Sequence, residues 1–336
     1  MKAWRIEESF GLENLTLADL PTPSPKAGEV LLKMSAASLN YRDMITVAGG
    51  YGKTVKIPLI PCSDGVGTLV EAGPGANKFA IGSRLSPTFF PKWLDGPANA
   101  SVLPDGLGGA YDGTLCQYMV VREETCVLAP DHLTDVEAAS LPCAALTAWS
   151  ALFEQNSFSS SDRLVIQGTG GVALFALLFA KAVGAQVLIT SSSDEKLERA
   201  RKLGADHTVN YYDVPNWSRE VKKVWSDGAD HVIEVGGAQT LEQSIRSVRI
   251  GGHISLIGVL TGTNSTSLPL PLILMRNVRI QGVTVGSKAA FERMNAFISK
   301  HEIKPIVDQI FGFDDVKKAF KYLESGQHFG KVCLAF

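Results

Sequence analysis

The chain has 336 residues, of which 45% are hydrophobic and 20% charged, and its formal net charge is -2. This composition is typical of globular proteins, and the length suggests about two domains. The slightly negative charge gives no support to nucleic-acid binding, and the apolar runs are shorter than the roughly 18 residues that a membrane-spanning helix needs.

The cysteines and the first residues bear on the compartment in which the protein is expected. The five cysteines are scattered and none forms a Cys-x-x-Cys pair, which argues against a disulfide framework and a zinc cluster. Residues 1–8 lack the apolar core of a signal peptide. We therefore expect a cytoplasmic protein.

Residues 1–127 contain short β-like runs, such as 29–34 and 65–70, punctuated by glycine and proline. This pattern predicts a β-rich first domain. Three loop aromatics in it, Phe89, Phe90 and Trp93, suggest an apolar substrate pocket. They could equally close a core or a subunit contact.

From residue 128 to residue 286 strands alternate with helices. Residues 187–190, 231–235 and 253–258 are predicted strands, and 194–203 is a charged amphipathic helix. Such alternation predicts a doubly wound parallel sheet, with a ligand at the carboxyl ends of its strands. Residues 287–336 are predicted to form short helices and strands in mixed order.

The stretch from Leu164 to Ala173 is the most informative one. A β-branched run leads into Gly168, Thr169, Gly170, Gly171 and Val172, and an apolar helix pattern follows. In such a turn the glycines allow a close approach to a pyrophosphate, and the helix start offers N–H groups to it. The turn therefore predicts a dinucleotide site, although glycine turns also occur in other α/β proteins.

Several ordered segments resemble the medium-chain dehydrogenase/reductase superfamily, and most of all its zinc-free, quinone-oxidoreductase-like branch. The matching segments are 38–43, 61–67, 141–149, 202–206 and 329–332. The resemblance implies an α/β protein. A GroES-like catalytic domain would comprise residues 1–127 and 287–336, and a Rossmann cofactor-binding domain residues 128–286.

The metal ligands of that family are missing. Zinc-containing members place a Cys-His pair near Asn40 and Tyr41 and a His-Glu pair near Ser63 and Asp64, and neither pair is present. Cys143 stands alone where a third ligand falls, whereas a catalytic zinc needs three protein ligands. Residues 87–113, which replace a four-cysteine zinc lobe, contain no cysteine. The resemblance thus predicts an enzyme without zinc.

The end of the second predicted strand indicates NADPH. Ser191 stands where NAD-dependent relatives carry an acid, and Ser192 follows it. Lys196 and Tyr211 keep the spacing of a lysine and tyrosine that bracket the 2'-phosphate in similar NADPH-dependent reductases. The competing interpretation is a solvated lysine and a strand-edge tyrosine, and nearby Asp194 could reach the ribose instead. Further cofactor contacts are expected at Val235, Gly236, Ile257, Gly258, Val285, Gly330 and Lys331.

The first domain supplies the candidate catalytic groups. Asn40 and Tyr51 match active-site positions of the quinone-oxidoreductase branch, and Tyr41 adds a hydroxyl. Ile45 replaces a second tyrosine of those relatives. Thr147 resembles a threonine near the nicotinamide. The competing interpretations are that Asn40 caps a helix, that the tyrosines are merely packed side chains, and that the Thr147 hydroxyl is bonded to the backbone of its own helix.

Together these features predict an NADPH-dependent, zinc-independent oxidoreductase that transfers hydride to a quinone or an α,β-unsaturated carbonyl. One alternative is a metal-free alcohol or carbonyl dehydrogenase. Another, of a different class, is an NADPH-binding structural, RNA-binding or regulatory protein. The stretch 277–285 resembles the segment through which relatives dimerise, so we expect a homodimer.

Overall fold

The structure is a computed structural model that describes residues 1–262, 264 and 268–336. Within those residues no helix is both long and apolar enough to cross a bilayer. The strands are β1 (Lys2–Ile6), β2 (Leu15–Asp19), β3 (Glu29–Leu39), β4 (Asp64–Ala72), β5 (Arg84–Pro87), β6 (Tyr118–Arg122), β7 (Cys126–Leu128), β8 (Arg163–Gln167), β9 (Gln186–Ser191), β10 (His207–Asn210), β11 (Ala229–Glu234), β12 (Val248–Leu256), β13 (Arg279–Gly282), β14 (Val307–Gly312) and β15 (Lys331–Ala335).

The helices are α1 (Tyr41–Val47), α2 (Asp135–Ala139), α3 (Leu146–Trp149), α4 (Gly171–Val183), α5 (Asp194–Lys202), α6 (Trp217–Val224), α7 (Leu241–Ser247), α8 (Leu270–Met275), α9 (Lys288–Lys300) and α10 (Val316–Glu324). Two π-helical turns, Leu141–Ala145 and Ser150–Glu154, flank α3. The chain forms two compact units, one of Met1–Leu146 and Val285–Phe336 and the other of Thr147–Thr284.

The first unit is built on a sheet with the strand order β14-β15-β3-β4-β5-β7, in which β6 also pairs with β3. Its strands are antiparallel except for the β14–β15 pair. The apolar side chains of β3 that face inwards pack with those of α10, such as Phe320, in one core. This is the predicted β-rich, GroES-like architecture.

Residues 128–146 lie in the first unit, although the alternation of strands and helices predicts that the second domain begins at residue 128. The reason lies in α2, which packs against β3, β4 and β15. Its carbonyl at Val136 accepts a hydrogen bond from the Cys333 thiol at 3.7 Å. The sequence pattern of one short helix contains no information about which sheet it covers.

The second unit contains the predicted parallel sheet, with the strand order β10-β9-β8-β11-β12-β13. Numbered within the unit this is the order 3-2-1-4-5-6 of a doubly wound, dinucleotide-binding sheet. The central strands β8 and β11 are almost fully buried, which explains their continuous apolar runs. In such a sheet the ligand binds where the strand order reverses, at the carboxyl ends of β8 and β11.

A pair of buried histidines crosses the centre of this sheet. His231 on β11 is the register partner of His253 on β12, and the ring centroids are 5.8 Å apart. Burial lowers the pKa of both side chains, that of His253 to about 4, assisted by the nearby charges of His231 and Arg279. Both rings are therefore neutral in the folded protein at neutral pH.

We expect the free energy of unfolding to fall as the pH is lowered from about 6.5 to about 4. In that range the histidines of the unfolded chain bind protons, whereas those of the folded protein stay neutral. The loss attributable to His253 should be about 1–2 kcal/mol, after an allowance for partial solvation. Urea unfolding of the wild type and of His253→Gln over this range measures it, and an identical pH dependence in both proteins would contradict it.

Candidate active site and cofactor-binding site

The turn after β8 has the geometry of a phosphate-binding turn. Gly168 has a φ of +75°, in the left-handed region that favours glycine, and its N–H donates to the Thr190 carbonyl at 2.8 Å. Gly170 is the N-cap of α4. The first N–H groups of a helix have no acceptor within the helix, so this turn can offer them, with Gly171 and Val172, to a pyrophosphate.

The ends of β9 and β10 bring three predicted cofactor residues together. Ser191 is the register partner of Asn210, and the Tyr211 N–H donates to the Ser191 carbonyl at 3.0 Å. Lys196 lies in the first turn of α5, where its N–H donates to the N-cap Ser193 hydroxyl at 3.3 Å. Ser191, Tyr211 and Lys196 thus lie at the ends of two neighbouring strands and in the first turn of the helix that follows, the region where a doubly wound sheet binds an adenosine ribose.

Asp194 is an acid at this edge that could favour an unphosphorylated ribose. Its Oδ1 accepts a hydrogen bond from Asn210 Nδ2 at 3.0 Å. The carboxylate is therefore held towards β10 rather than left to turn towards a ribose at the end of β9.

The buried carboxylate of Glu234 organises the turn after β11. It accepts hydrogen bonds from the N–H groups of Gly236 and Gly237 at 2.8 and 2.9 Å, and from the hydroxyls of Thr240 and Ser244 at 2.6 and 2.5 Å. Its exposure is 0%. These hydrogen-bond donors offset the cost of burying the carboxylate charge, and the same bonds fix the backbone around it.

Gln167 extends this network to the residue before the glycine turn. Its Nε2 donates to Glu234 at 2.7 Å, and its Oε1 accepts from the N–H groups of Val235 and Gly236 at 3.3 and 3.2 Å. Gly258 passes so close that a Cβ there would lie 2.2 Å from the Val235 carbonyl oxygen. The turns after β8 and β11 are thus fixed to each other.

In the first unit, the side chains of Asn40 and Lys331 form the centre of a buried polar cluster. Lys331 Nζ donates to the Leu39 carbonyl at 2.8 Å and to Asn40 Oδ1 at 2.6 Å. Asn40 Nδ2 is buried; it makes no hydrogen bond of normal geometry among the described residues, but its interaction with the Asp64 carboxylate lowers the pKa of that acid. Asn40 is also the N-cap of α1, and its backbone N–H donates to the Asp43 carboxylate at 2.8 Å.

Asp64, at the start of β4, is the acid of this cluster. Its carboxylate lies 3.9 Å from Lys331 Nζ and accepts hydrogen bonds from the Ser63 hydroxyl at 2.8 Å and the Cys143 N–H at 3.2 Å. Burial raises the pKa of Asp64 to about 6, against the opposing effects of Lys331 and the Asn40 side chain. Burial also raises the pKa of the Cys143 thiol, so that thiol is not an activated nucleophile.

Arg42 connects the cluster to Tyr51. Its guanidinium contacts the Asp43 carboxylate at 3.2 Å, donates to the Leu107 carbonyl at 2.8 Å and lies 5.0 Å from the centre of the Phe89 ring. Burial raises the pKa of Tyr51, and Arg42 partly offsets this effect. Tyr51 thus remains a neutral hydroxyl, able to donate a hydrogen bond, at neutral pH.

The loop aromatics are not an exposed binding surface. Phe89, Phe90 and Trp93 are only 7–8% exposed. Phe89 and Phe90 meet edge to face at 4.5 Å, and the Trp93 indole donates to the Gly96 carbonyl at 2.8 Å. Low exposure fits either the wall of an apolar pocket or the closure of a core, so the predicted role in a substrate pocket stays a prediction.

The remaining predicted residues are distributed as follows. Tyr41 is 48% exposed at the first position of α1, and Thr147 is buried at the start of the second unit. Ile257 donates its N–H to the Glu234 carbonyl at 2.8 Å. Val285 and Gly330 have positive φ and belong to the first unit. Lys331 directs its side chain to Asn40, and its predicted contact with the cofactor stays a prediction.

Several central residues were not predicted from the sequence, namely Arg42, Asp43, Asp64, Gln167 and Glu234. Asp64, at the start of β4, and Glu234, at the end of β11, each had a local signal, since an acid within two residues of a glycine is unusual in a buried apolar run. Gln167 directly precedes the glycine turn. The contacts of Asp64 with Lys331 and Cys143 join residues distant in the chain, which local spacing does not reveal.

The donor set does not suit a catalytic zinc. Among residues 1–262, 264 and 268–336 no group of three or more His, Cys, Asp or Glu side chains converges in a way that could hold a metal ion. At Asn40 and Asp64, next to the positions that carry ligands in zinc-containing relatives, the chain places the ammonium of Lys331. An ammonium carries no lone pair for a metal and repels a dication.

Comparisons with known proteins match nearly the whole chain to dehydrogenases and reductases. The family description "Alcohol dehydrogenase GroES-like domain" matches residues 26–131, and "Zinc-binding dehydrogenase" matches residues 171–300. A zinc-type alcohol dehydrogenase-like protein of Schizosaccharomyces pombe is 43% identical, over 98% of this chain and 97% of that protein. A 2-methylene-furan-3-one reductase of Solanum lycopersicum is 30% identical, over 99% of this chain and 79% of that protein.

Among solved structures, a putative alcohol dehydrogenase of Sinorhizobium meliloti is 40% identical, with a TM-score of 0.93. The match covers 100% of this chain and 98% of that one. The agreement extends from the β-rich first unit through the parallel sheet of the second.

Proposed function

Because the chain belongs to the medium-chain dehydrogenase/reductase superfamily of oxidoreductases, we propose that it is an NADPH-dependent, zinc-independent reductase of quinones or α,β-unsaturated carbonyls. The observation that carries this proposal is the Asn40–Lys331–Asp64 cluster. It puts hydrogen-bond donors and an internal cation where a metal-dependent enzyme needs metal ligands.

The chemistry requires an acceptor that is already electrophilic. When bound, the nicotinamide supplies a hydride, which adds to the β-carbon of an enone. The electrons of the C=C bond then move to the carbonyl oxygen, giving an enolate that takes a proton at the α-carbon. Donors such as Asn40 Nδ2 and the Tyr51 hydroxyl are suited to stabilise that oxygen, so no Lewis acid is needed.

The dinucleotide would lie on the turn after β8, with its 2'-phosphate near Ser191, Lys196 and Tyr211. The missing acid at Ser191 and the tethered carboxylate of Asp194 support NADPH over NADH, because a free carboxylate there would repel the phosphate and accept from a 2'-hydroxyl. The positive charge of Lys196 adds to this preference.

Lys196→Ala should weaken NADPH binding by about 1–3 kcal/mol and leave NADH binding nearly unchanged, because only NADPH carries the phosphate that the lysine neutralises. Fluorescence titration of both cofactors measures this difference. Lys202→Ala, at the exposed end of the same helix, is the matched control. Equal losses for the two cofactors in Lys196→Ala would show that this lysine does not recognise the phosphate.

We expect the purified protein to contain far less than one zinc per chain after chelator treatment, and to keep its activity. Three protein ligands are needed for a catalytic zinc, and chelators remove both metal and function where such ligands exist. Elemental analysis and the rate before and after chelation test this. About one retained zinc per chain, or loss of activity with the chelator, would contradict it.

The experiment that tests the function compares an enone, the corresponding saturated ketone, the matching alcohol and a quinone at saturating NADPH or NADP⁺. The proposal requires the enone or quinone to be reduced much faster than the saturated ketone, with little alcohol oxidation. Preference for the ketone and alcohol would favour a metal-free alcohol dehydrogenase, an alternative supported by the 43% identical alcohol dehydrogenase-like relative. Cofactor binding without turnover of any acceptor would indicate a non-catalytic protein.

We also propose a homodimer that pairs at β13, the terminal strand of the parallel sheet. Helix α8, which lies just before β13 in the chain, exposes Leu270, Leu274 and Met275 at 63%, 75% and 76%, and apolar surface of this kind is usually covered. Light scattering should give twice the chain mass of 36.0 kDa, and a monomer at micromolar concentration would rule the dimer out.

A further inference from the structure

A cleft on the surface of the second unit carries a concentration of cations. It lies between α6, α7 and α8 and has a volume of about 530 Å³. Its charged lining residues are Arg219, Lys222, Arg246, Arg276 and the acid Glu242. We infer that this cleft binds a small organic anion with two or more phosphate groups, at a site formed by none of the residues of the glycine turn.

Two of the four cations lack a counterion among the residues that the structure describes. Arg219 and Lys222 lie one turn apart on α6, and the side chain of neither forms an ion pair or a hydrogen bond there. Burial lowers the pKa of Lys222, and the neighbouring charges of Arg276 and Arg246 lower it further. Charges of one sign brought so close repel one another, and a bound anion would remove that repulsion.

The other two cations are held in position by their partners. Arg246 donates to the Glu242 carboxylate through Nε at 2.9 Å and Nη2 at 2.8 Å. The Arg276 guanidinium donates to the carbonyls of Ile245 and Arg246, each at 3.2 Å, and to that of Val248. Bonds to carbonyls leave the charge of Arg276 in place, so the cleft presents fixed guanidinium groups of the kind that bind phosphate oxygens.

The size of the cleft favours a small molecule over a polymer. Its volume of about 530 Å³ lies within the range of about 300–1,000 Å³ that is typical of small-molecule sites. Leu272 and the side-chain amides of Asn216 and Gln243 complete the lining with Ser218, so an organic group would meet apolar and hydrogen-bonding surface. Nucleic acids are bound by extended basic faces, whereas this chain has a net charge of -2 and these four cations meet in one cleft.

Calorimetric titration with tripolyphosphate in about 0.1 M salt tests the inference, because attraction to charges more than about 10 Å away is then screened. One tripolyphosphate should bind per chain, much more tightly than orthophosphate. Lys222→Gln and Arg219→Gln should each weaken binding roughly 10-fold or more, the effect of losing one charge-assisted hydrogen bond.

Lys223→Gln is the matched control for these two variants. Lys223 lies on the same helix, pairs with Glu220 at 2.7 Å and is not among the residues that line the cleft. Its loss should change the affinity by less than about 2-fold in that salt concentration. Absence of tripolyphosphate binding, or an equal loss in Lys223→Gln and Lys222→Gln, would overturn the inference.

Thermal unfolding separates a binding role from a structural one. Without anion, Lys222→Gln should melt at the temperature of the wild type or above it, because the change removes repulsion from Arg246 and Arg276. Tripolyphosphate should raise the Tm of the wild type and leave that of Lys222→Gln nearly unchanged. A lower Tm of the anion-free variant, or equal increases in both proteins, would contradict the inference.

Competition with the cofactor distinguishes this cleft from the phosphate sites of the dinucleotide. Saturating NADPH and the Lys196→Ala change should both leave the affinity for tripolyphosphate unaltered. Displacement by NADPH, or a loss confined to Lys196→Ala, would place the anion at the cofactor site instead. A protein that binds a single-stranded oligonucleotide through Lys222 but not tripolyphosphate would point to nucleic acid and refute the small anion. The titrations need no turnover, so their outcome is independent of the proposed function.

Discussion

Asn40→Ala should lower kcat for an enone by roughly 10²–10³-fold, the range for loss of one fully engaged oxyanion donor. The variant removes Nδ2, the side-chain donor proposed to stabilise the enolate oxygen. The dissociation constant of NADPH should stay nearly constant, because Asn40 belongs to the first unit and the glycine turn to the second. Single-turnover rates and a cofactor titration measure the two effects separately.

Asn40→Asp is the sharper control for this prediction. An aspartate has the same shape, still accepts from Lys331 Nζ and can cap α1, but it has no N–H to donate. It should therefore be at least as slow as Asn40→Ala, while the added buried carboxylate beside Asp43 and Asp64 should lower the free energy of unfolding. A normal rate in Asn40→Asp would exclude the amide as the donor, and Tyr51→Phe would then show whether the Tyr51 hydroxyl supplies it.

Glu234→Ala should destabilise the second unit by about 3–5 kcal/mol, as expected when a buried charge network loses its central member. The N–H groups of Gly236 and Gly237, the Gln167 amide and two hydroxyls would all lose their acceptor. Where the protein still folds, NADPH binding should weaken as well, because the same bonds fix the two turns that border the cofactor site.

Urea unfolding and cofactor titration at 15 °C test this prediction. Glu242→Ala is the matched control, since Glu242 is a partly exposed acid of α7 whose carboxylate bonds only Arg246 among the described residues. That change should cost less than about 1 kcal/mol. A Glu234→Ala protein with wild-type stability would mean that water replaces the carboxylate.

Much of the second unit could be predicted because the sequence signals for its elements lie within short stretches of the chain. The run into Gly168 and Gly170, the strand that ends at Ser191 and the alternation of helices and strands are all properties of short stretches. A buried parallel strand needs a continuous apolar run and a phosphate turn needs glycine, so these elements are visible without knowing their partners.

The polar cluster of the first unit could be predicted only in part. Asn40 was recognised by its resemblance to active-site residues, but the direction of the Lys331 side chain depends on the pairing of β15 with β3. That pairing joins stretches at opposite ends of the chain, and no local pattern specifies its register. Whether the loop aromatics line a substrate pocket could not be decided from the sequence either, because how far Phe89 is covered depends on residues distant in sequence, such as Arg42.

The path of the chain through the two units has a consequence for biosynthesis. The parallel sheet uses one continuous stretch, so a nascent chain can complete it as soon as residue 284 has left the ribosome. The first sheet cannot close then, because β15, which lies between β14 and β3, is translated later. Until that moment the part of β3 that pairs with β15 is open to pairing with other chains. A nascent polypeptide stalled before residue 331 should thus carry a protease-resistant second unit and an aggregation-prone first one, so the first unit becomes complete only when β15 is added.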